Sequence, residues 1–205
     1  MHATRWSAAV SLSGVQLAQI AVGVLGVLLI TSEYATGLIR TTMAAVPRRL
    51  PVLWGKAALV VAAIAAVSLP AAFAAFLAGQ SIRSRDHLAV ALSQPGVVRA
   101  VIGSALYLAV IGLVGLGLGG LVRNAAGGIA ALFGMLYGMP LAAGFLSGHW
   151  AVEVGRYLPA TAGQAVTVVQ PDPTLLQPWT GFGVLCLFAA ASLGLAAARM
   201  RRGDA

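Results

Sequence analysis

AVIGSALYLAVIGLVGLGLGGLV, residues 100–122, contains no charged side chain and is followed at once by Arg123. An α-helix rises about 1.5 Å per residue, so about 20 apolar residues cross a hydrocarbon core of roughly 30 Å. The stretch is long enough for one crossing. Its Ala, Val, Leu and Gly content favours a helix over the short alternating strands of a transmembrane β-barrel. We therefore predict a transmembrane helix here.

Four more intervals of this kind occur in the chain. With their polar ends trimmed, the five predicted spans lie near residues 10–30, 55–79, 101–121, 127–147 and 179–198. The composition agrees, because 60% of the residues are hydrophobic, 9% are charged and the mean hydropathy is +0.92. Ordinary soluble chains are about a quarter charged. The sequence therefore predicts an all-α polytopic transmembrane helix bundle, a single membrane domain over residues 1–205.

Individual residues within the spans predict local features. Pro70 and Pro140 predict kinks that neighbouring helices cover. Cys186 is the single cysteine and lies in the last span, so no intramolecular disulfide can form. Gly115 and Gly119, four residues apart, allow close helix contact, and packing within one subunit is favoured over a dimer interface. Gly134 and Gly138, and Gly144 and Gly148, have the same spacing.

The first span is expected to remain in the mature protein. Its apolar run is too long for a signal peptide, and no small-residue cleavage pattern precedes the polar Thr31.

Basic residues near the span ends predict the orientation, because cytoplasmic loops carry an excess of Lys and Arg. An outside N-terminus places more basic residues in the cytoplasm than outside. The cytoplasmic set is then Arg40, Arg48, Arg49, Lys56, Arg123, Arg199, Arg201 and Arg202. The C-terminus is therefore predicted to be cytoplasmic. The net charge of +8 is attributed to anchoring on anionic lipid, and no nucleic-acid-binding motif accompanies it.

The polar segment after the first span, residues 32–49, is predicted to lie at the cytoplasmic membrane surface. Ser32 can cap a helix whose first turn carries Glu33, and Pro47 marks its far end. This pattern favours a short interfacial helix over about residues 32–46. A solvated loop that merely follows the charge rule is the alternative.

This segment resembles the cytoplasmic coupling segment in the membrane subunits of type-2 ATP-binding-cassette (ABC) exporters, particularly actinobacterial ones. The similarity runs through EYATGLIRTT (33–42), AAVPRR (44–49) and LWGK (53–56). A weaker one runs through RYLPATAGQA (156–165), which resembles the segment before the family's last span. The family usually has six spans, so a further span is expected upstream of Met1, with a start assigned too late as the favoured explanation. A fragment and a real loss of one helix are the alternatives.

The resemblance implies the permease subunit of an ABC exporter in the bacterial plasma membrane, working with a second permease subunit and cytoplasmic ABC ATPase subunits. ATP is then held by the partners and this chain holds no cofactor. Its only Gly-Lys pair is Gly55-Lys56, and Leu50 stands where a nucleotide-binding loop needs its first glycine. The residues that the resemblance places against the ATPase are Glu33, Tyr34, Thr36, Gly37, Leu38, Ile39 and Arg40.

Two other functional classes were weighed against this one. An intramembrane enzyme is disfavoured, because His149 and Glu153 lack the third ligand or second acid that a metal site or acid–base pair needs. We expect no catalytic or metal-binding residue. Both side chains are predicted at the outer interface, in an extracytoplasmic segment over residues 149–178 that contains short interfacial or re-entrant helices. A non-transporting membrane protein, such as an assembly or immunity factor, is the alternative function.

Overall fold

The computed structural model describes residues 2–36, 49–83, 96–145, 149–169 and 174–202, and all regular structure within these ranges is helical. The elements are α1 (His2–Ala35), α2 (Arg49–Arg83), α3 (Val97–Val122), α4 (Ala125–Phe133), a π-turn (Gly134–Gly138), α5 (Met139–Gly144), α6 (His149–Arg156), α7 (Pro159–Gln164) and α8 (Pro178–Arg202).

Five helical stretches are long and apolar enough to cross a membrane, which confirms the predicted all-α bundle of five spans. They are Gly14–Ala35, Pro51–Ala75, Val97–Val122, Ala125–Gly144 and Pro178–Arg201. The fourth combines α4, the π-turn and α5, whereas each of the others belongs to one helix. The chain is therefore a multi-pass membrane protein.

The third span, α3, lies at the centre of the bundle, where α1, α2 and α8 all pack against it. Of its most apolar stretch, 72% is buried, against 17% for the second and fourth spans. Ile111 and Val114 are completely buried. Other parts of the chain therefore cover most of α3, whereas the described residues leave most of the surface of the second and fourth spans uncovered.

Glycines allow α1 and α3 to cross at very short range. A Cβ atom added at Gly26 of α1 would lie 2.2 Å from the carbonyl oxygen of Gly112, and one added at Gly115 of α3 would lie 2.2 Å from that of Gly23. The backbone atoms in these contacts cannot move away unless the two helices separate. Small residues of this kind let transmembrane helices approach and gain van der Waals contact.

The predicted glycine pairs have different surroundings. Gly115 and Gly119 pack against α1 within the same chain, as predicted. A Cβ atom added at Gly134 or Gly138 would meet nothing within 4 Å. The predicted packing within one subunit therefore holds for Gly115 and Gly119, whereas Gly134 and Gly138 make no such contact with the described residues.

The fourth span widens into the π-turn directly before Pro140. Proline has no backbone N–H, and in an α-helix its ring clashes with the carbonyl group four residues earlier. In the wider π-turn the N–H of Met139 donates to the carbonyl oxygen of Gly134. This wider turn accommodates Pro140. Pro70, by contrast, lies inside the uninterrupted α2.

A two-residue link joins α3 to α4. Arg123 adopts left-handed backbone angles (φ 60°, ψ 19°), and its N–H donates to the carbonyl oxygen of Gly119 at 2.8 Å. The side chain of Asn124 accepts from the N–H of Gly127 at 3.1 Å and caps α4. One helix therefore ends and the next begins within two residues, which makes α3 and α4 a tight helical hairpin.

The predicted helix start at Ser32 is wrong, because α1 continues through this residue to Ala35. The Ser32 hydroxyl donates to the carbonyl oxygen of Leu29 at 3.5 Å, and that of Thr36 donates to the carbonyl oxygen of Ser32 at 2.9 Å. Hydroxyls that bond to the preceding turn can remain inside a helix and need not cap one. Residues 37–48, the remainder of the predicted interfacial helix, lie outside the described ranges.

Candidate functional site

The ends of four spans meet on the side of the bundle that carries Glu33, Tyr34 and Thr36 of the predicted coupling set. We call this side the inner end, after the predicted orientation, and the opposite side the outer end. Glu33, near the end of α1, forms an ion pair with Lys56 of α2, with 2.5 Å between Nζ and Oε1. Lys56 Nζ also donates to the carbonyl oxygen of Leu29 at 3.3 Å. The Lys56 and Glu33 side chains are only 15% and 25% exposed. This partly buried pair joins α1 to α2 at the two points that flank residues 37–48.

Arg123 adds two more spans to the inner end. Its guanidinium carbon lies 5.5 Å from the centre of the Tyr34 ring of α1, a cation–π distance. The same group donates to the carbonyl oxygen of Arg199 in α8 at 3.2 Å. A cation at the carbonyl end of a helix is stabilised by the helix dipole. Arg123 therefore joins the ends of α1, α3 and α8.

Only part of the predicted coupling set lies within the described residues. Glu33 and Tyr34 are half-buried against the bundle, and Thr36 is exposed. The other four fall outside these residues: Gly37, Leu38, Ile39 and Arg40. The sequence indicated neither the Lys56 partner of Glu33 nor the Arg123 partner of Tyr34. Lys56 is the only lysine in the chain, which was the available signal for the first pair.

A second polar cluster lies between the spans. The Tyr107 hydroxyl of α3 donates to Oε1 of Gln19 in α1, and Nε2 of Gln19 donates to the Tyr137 hydroxyl of the π-turn at 3.0 Å. Gln19 and Tyr107 are 1% and 0% exposed. We call Gln19, Tyr107 and Tyr137 the amide–phenol network.

The position of Arg99 fixes the depth of the network. Its guanidinium donates to the carbonyl oxygens of Val168 and Val169, at 3.1 and 3.2 Å, and so holds the chain after α7 at the outer end of α3. Tyr107 follows Arg99 by eight residues, or about 12 Å along a helix. The network therefore lies inside the bundle, towards its outer side.

The short helix α6 carries an aromatic and ion-paired surface at the outer end. Glu153 forms an ion pair with Arg156, whose guanidinium carbon lies 5.2 Å from the centre of the Tyr157 ring. Trp150 and Trp179 are 69% and 61% exposed. Amphipathic aromatic side chains are typical of the membrane–water interface. In this region the Glu153 carboxylate has a structural partner, as expected of an interfacial helix.

Comparison of the chain with protein-family models, with curated proteins and with solved structures gave no match.

Proposed function

We propose that this chain is the permease subunit of an ABC exporter in the bacterial plasma membrane, with its C-terminus in the cytoplasm. The supporting sequence feature is the resemblance of residues 33–49 to the coupling segment of such subunits. The structural observation that carries the proposal is the Glu33–Lys56 ion pair, which joins the two helix ends that flank residues 37–48. A coupling segment requires such a rigid attachment and no reactive group.

The contacts at the inner end suit the transmission of movement. A force on residues 37–48 acts on α1 and α2 together, because Glu33 and Lys56 hold their ends in contact. Arg123 extends this unit to α3 and α8 through Tyr34 and the Arg199 carbonyl group. ATP-driven closure of the partner ATPases would thus tilt several spans at once and expose the pathway alternately to either side.

In this proposal the ATPase binds residues 37–48. Leu38 and Ile39 supply apolar contact, Gly37 permits close approach, and Arg40 supplies charge complementarity. A second permease subunit, identical or homologous, completes the substrate pathway in the bilayer.

The test is a charge reversal at the proposed contact, Arg40→Glu. The chain is co-expressed with an ABC ATPase subunit from its source organism, purified through a tag and reconstituted in proteoliposomes. Electrostatic mismatch is expected to lower co-purified ATPase and substrate-stimulated ATP hydrolysis by about tenfold, or about 1.4 kcal/mol of contact free energy. Membrane insertion should be unchanged.

The matched control is Arg83→Glu, which reverses an arginine at the other end of α2. This variant is expected to behave as wild type in both assays. If Arg40→Glu also retains ATPase yield and hydrolysis at equal expression, the coupling role is removed and a non-transporting membrane protein becomes the better account.

The orientation is tested separately by thiol labelling from outside the cell. After Cys186 is replaced, a cysteine at Ser84 should be labelled and one at Gly203 should be protected. The reverse labelling pattern would place the inner end outside the cell and refute ATPase docking there.

A further inference from the structure

The amide–phenol network is a directional chain of hydrogen bonds. The Tyr107 hydroxyl donates its one proton to Oε1 of Gln19. Gln19 in turn donates from Nε2 to the oxygen of Tyr137. The chain thus runs from Tyr107 through Gln19 to Tyr137, and its last donor is the Tyr137 hydroxyl.

The proton of Tyr137 has no acceptor among the residues that the structure describes. Its oxygen accepts from Gln19, and the residue is 38% exposed on the fourth span, whose most apolar stretch is only 17% buried. A hydroxyl without a partner in an apolar environment costs roughly 1–3 kcal/mol. An acceptor oxygen supplied from the lipid phase would remove this cost.

The surroundings of Tyr137 suit an apolar molecule with an uncharged polar group. The Phe133 ring lies 5.8 Å from the Tyr137 ring, and Phe133 and Leu141 are 40% and 68% exposed. All three network residues are uncharged amides or phenols, so a charged group here would lose its hydration without gaining a counter-ion.

We propose that Tyr137 donates a hydrogen bond to a carbonyl oxygen of an uncharged amphiphile that enters from the bilayer between α1 and the π-turn. Its hydrocarbon part then lies along Phe133 and Leu141. The carbonyl oxygen can belong to the ester of a bilayer lipid or to a separate neutral compound dissolved in the bilayer. Binding at Tyr137 needs no ATPase, so this proposal and the proposed transport function fail independently.

The test uses photolabelling of the whole chain purified in dodecyl maltoside. The probe is dioleoylglycerol with a diazirine in one acyl chain, and the readout is the labelled fraction of peptides that cover residues 133–141. Unlabelled dioleoylglycerol should compete with the probe, whereas squalane, a hydrocarbon without oxygen, should not. Tyr137→Phe should weaken labelling about fivefold, the equilibrium factor for a hydrogen bond of about 1 kcal/mol.

Tyr157→Phe is the matched control, because it also removes the hydroxyl of an exposed tyrosine but lies directly after α6, outside the network. Its labelling should remain within about twofold of wild type, well short of the fivefold loss at Tyr137. Equal losses in the two variants, or competition by squalane as strong as by dioleoylglycerol, would overturn the proposal. Should Tyr137→Phe fail to purify as a monodisperse protein, the wild-type competition with the two compounds still decides.

Nanodiscs distinguish the two sources of the carbonyl group. The probe is added to discs of diester phosphatidylcholine and to discs of diether phosphatidylcholine, which lacks ester carbonyls. Labelling that is suppressed only in the diester discs identifies a bilayer lipid as the ligand. Equal labelling in both identifies a separate neutral compound, whereas labelling in neither overturns the proposal.

Discussion

The inner end and the amide–phenol network join spans with opposite chemistry. At the inner end, Glu33, Lys56 and Arg123 use formal charges and retain some exposure. Inside the bundle, Gln19 and Tyr107 use neutral groups that are almost completely buried. Charges are costly in hydrocarbon and tolerable where water is close, whereas neutral groups can be buried once they are paired. Depth in the membrane therefore decides which polar chemistry can hold two spans together.

The largest effect is expected at the glycine crossing of α1 and α3, which both regions require. Gly115→Ala places a Cβ atom against the backbone of Gly23, so the two helices must separate. We expect a loss of about 3 kcal/mol in the free energy of unfolding, measured by SDS titration in mixed micelles. Gly194→Ala is the control, because its added Cβ meets nothing within 4 Å and helix propensity predicts a gain of up to about 1 kcal/mol. Equal behaviour of the two variants would contradict the close crossing.

The next largest effect is expected at the inner end. Lys56→Met leaves the partly buried Glu33 carboxylate without its cation, and should cost about 2 kcal/mol, between the values for exposed and buried pairs. Adding Glu33→Gln should restore about half of that loss, because the orphaned charge is then gone. The same SDS titration measures both. An undiminished loss in the double variant would show that the charge of Glu33 is not the cause.

A smaller loss is expected within the network. Tyr107→Phe removes one neutral hydrogen bond to Gln19 and should cost about 1 kcal/mol. Ionic strength then sharpens the comparison. Between about 0.05 and 1 M NaCl the loss for Lys56→Met should shrink, because salt screens the partly exposed pair, whereas that for Tyr107→Phe should stay constant. A salt-dependent loss of stability for Tyr107→Phe would contradict the conclusion that the network consists of neutral groups.

The smallest effect is expected at Arg123. Arg123→Lys keeps the charge and the left-handed backbone but loses the planar group above Tyr34, at a cost of about 0.5 kcal/mol. SDS titration of Arg123→Lys measures this loss in the free energy of unfolding, and Lys56→Met is titrated for comparison. A loss larger than that of Lys56→Met would make Arg123, and not the Glu33–Lys56 pair, the principal link at the inner end.

The number and type of the spans were predictable because they depend on local sequence alone. A charge-free run such as residues 100–122 has one stable form in lipid, where backbone groups must bond within their own segment. Helix ends depend on finer detail. Ser32 was predicted to start a helix from its capping preference, whereas its hydroxyl bonds to the carbonyl oxygen of Leu29 and α1 continues to Ala35. Local bonding of this kind is not evident from composition.

The pairings within the two polar regions were not predictable, because they join residues distant in the chain. Glu33 was singled out by resemblance, but its partner lies 23 residues away and depends on how α1 meets α2. The network belongs to no motif, and its partners lie 88 and 118 residues from Gln19. The available signal was the amide of Gln19 within an apolar run, since polar groups in spans usually have partners in the bundle.

The large sequence separation between Gln19 and its partners also sets an order of assembly. Ribosomes add about 5–20 residues per second, so the Tyr107 hydroxyl is synthesised roughly 4–18 s after Gln19, and the Tyr137 hydroxyl later still. Throughout that interval α1 is already made, while the amide of Gln19 and the glycines that receive α3 have no native partner. Helix α1, which is synthesised before the other described spans, is thus among the last of them to reach its final environment. The insertion machinery must shelter it until the third and fourth spans arrive.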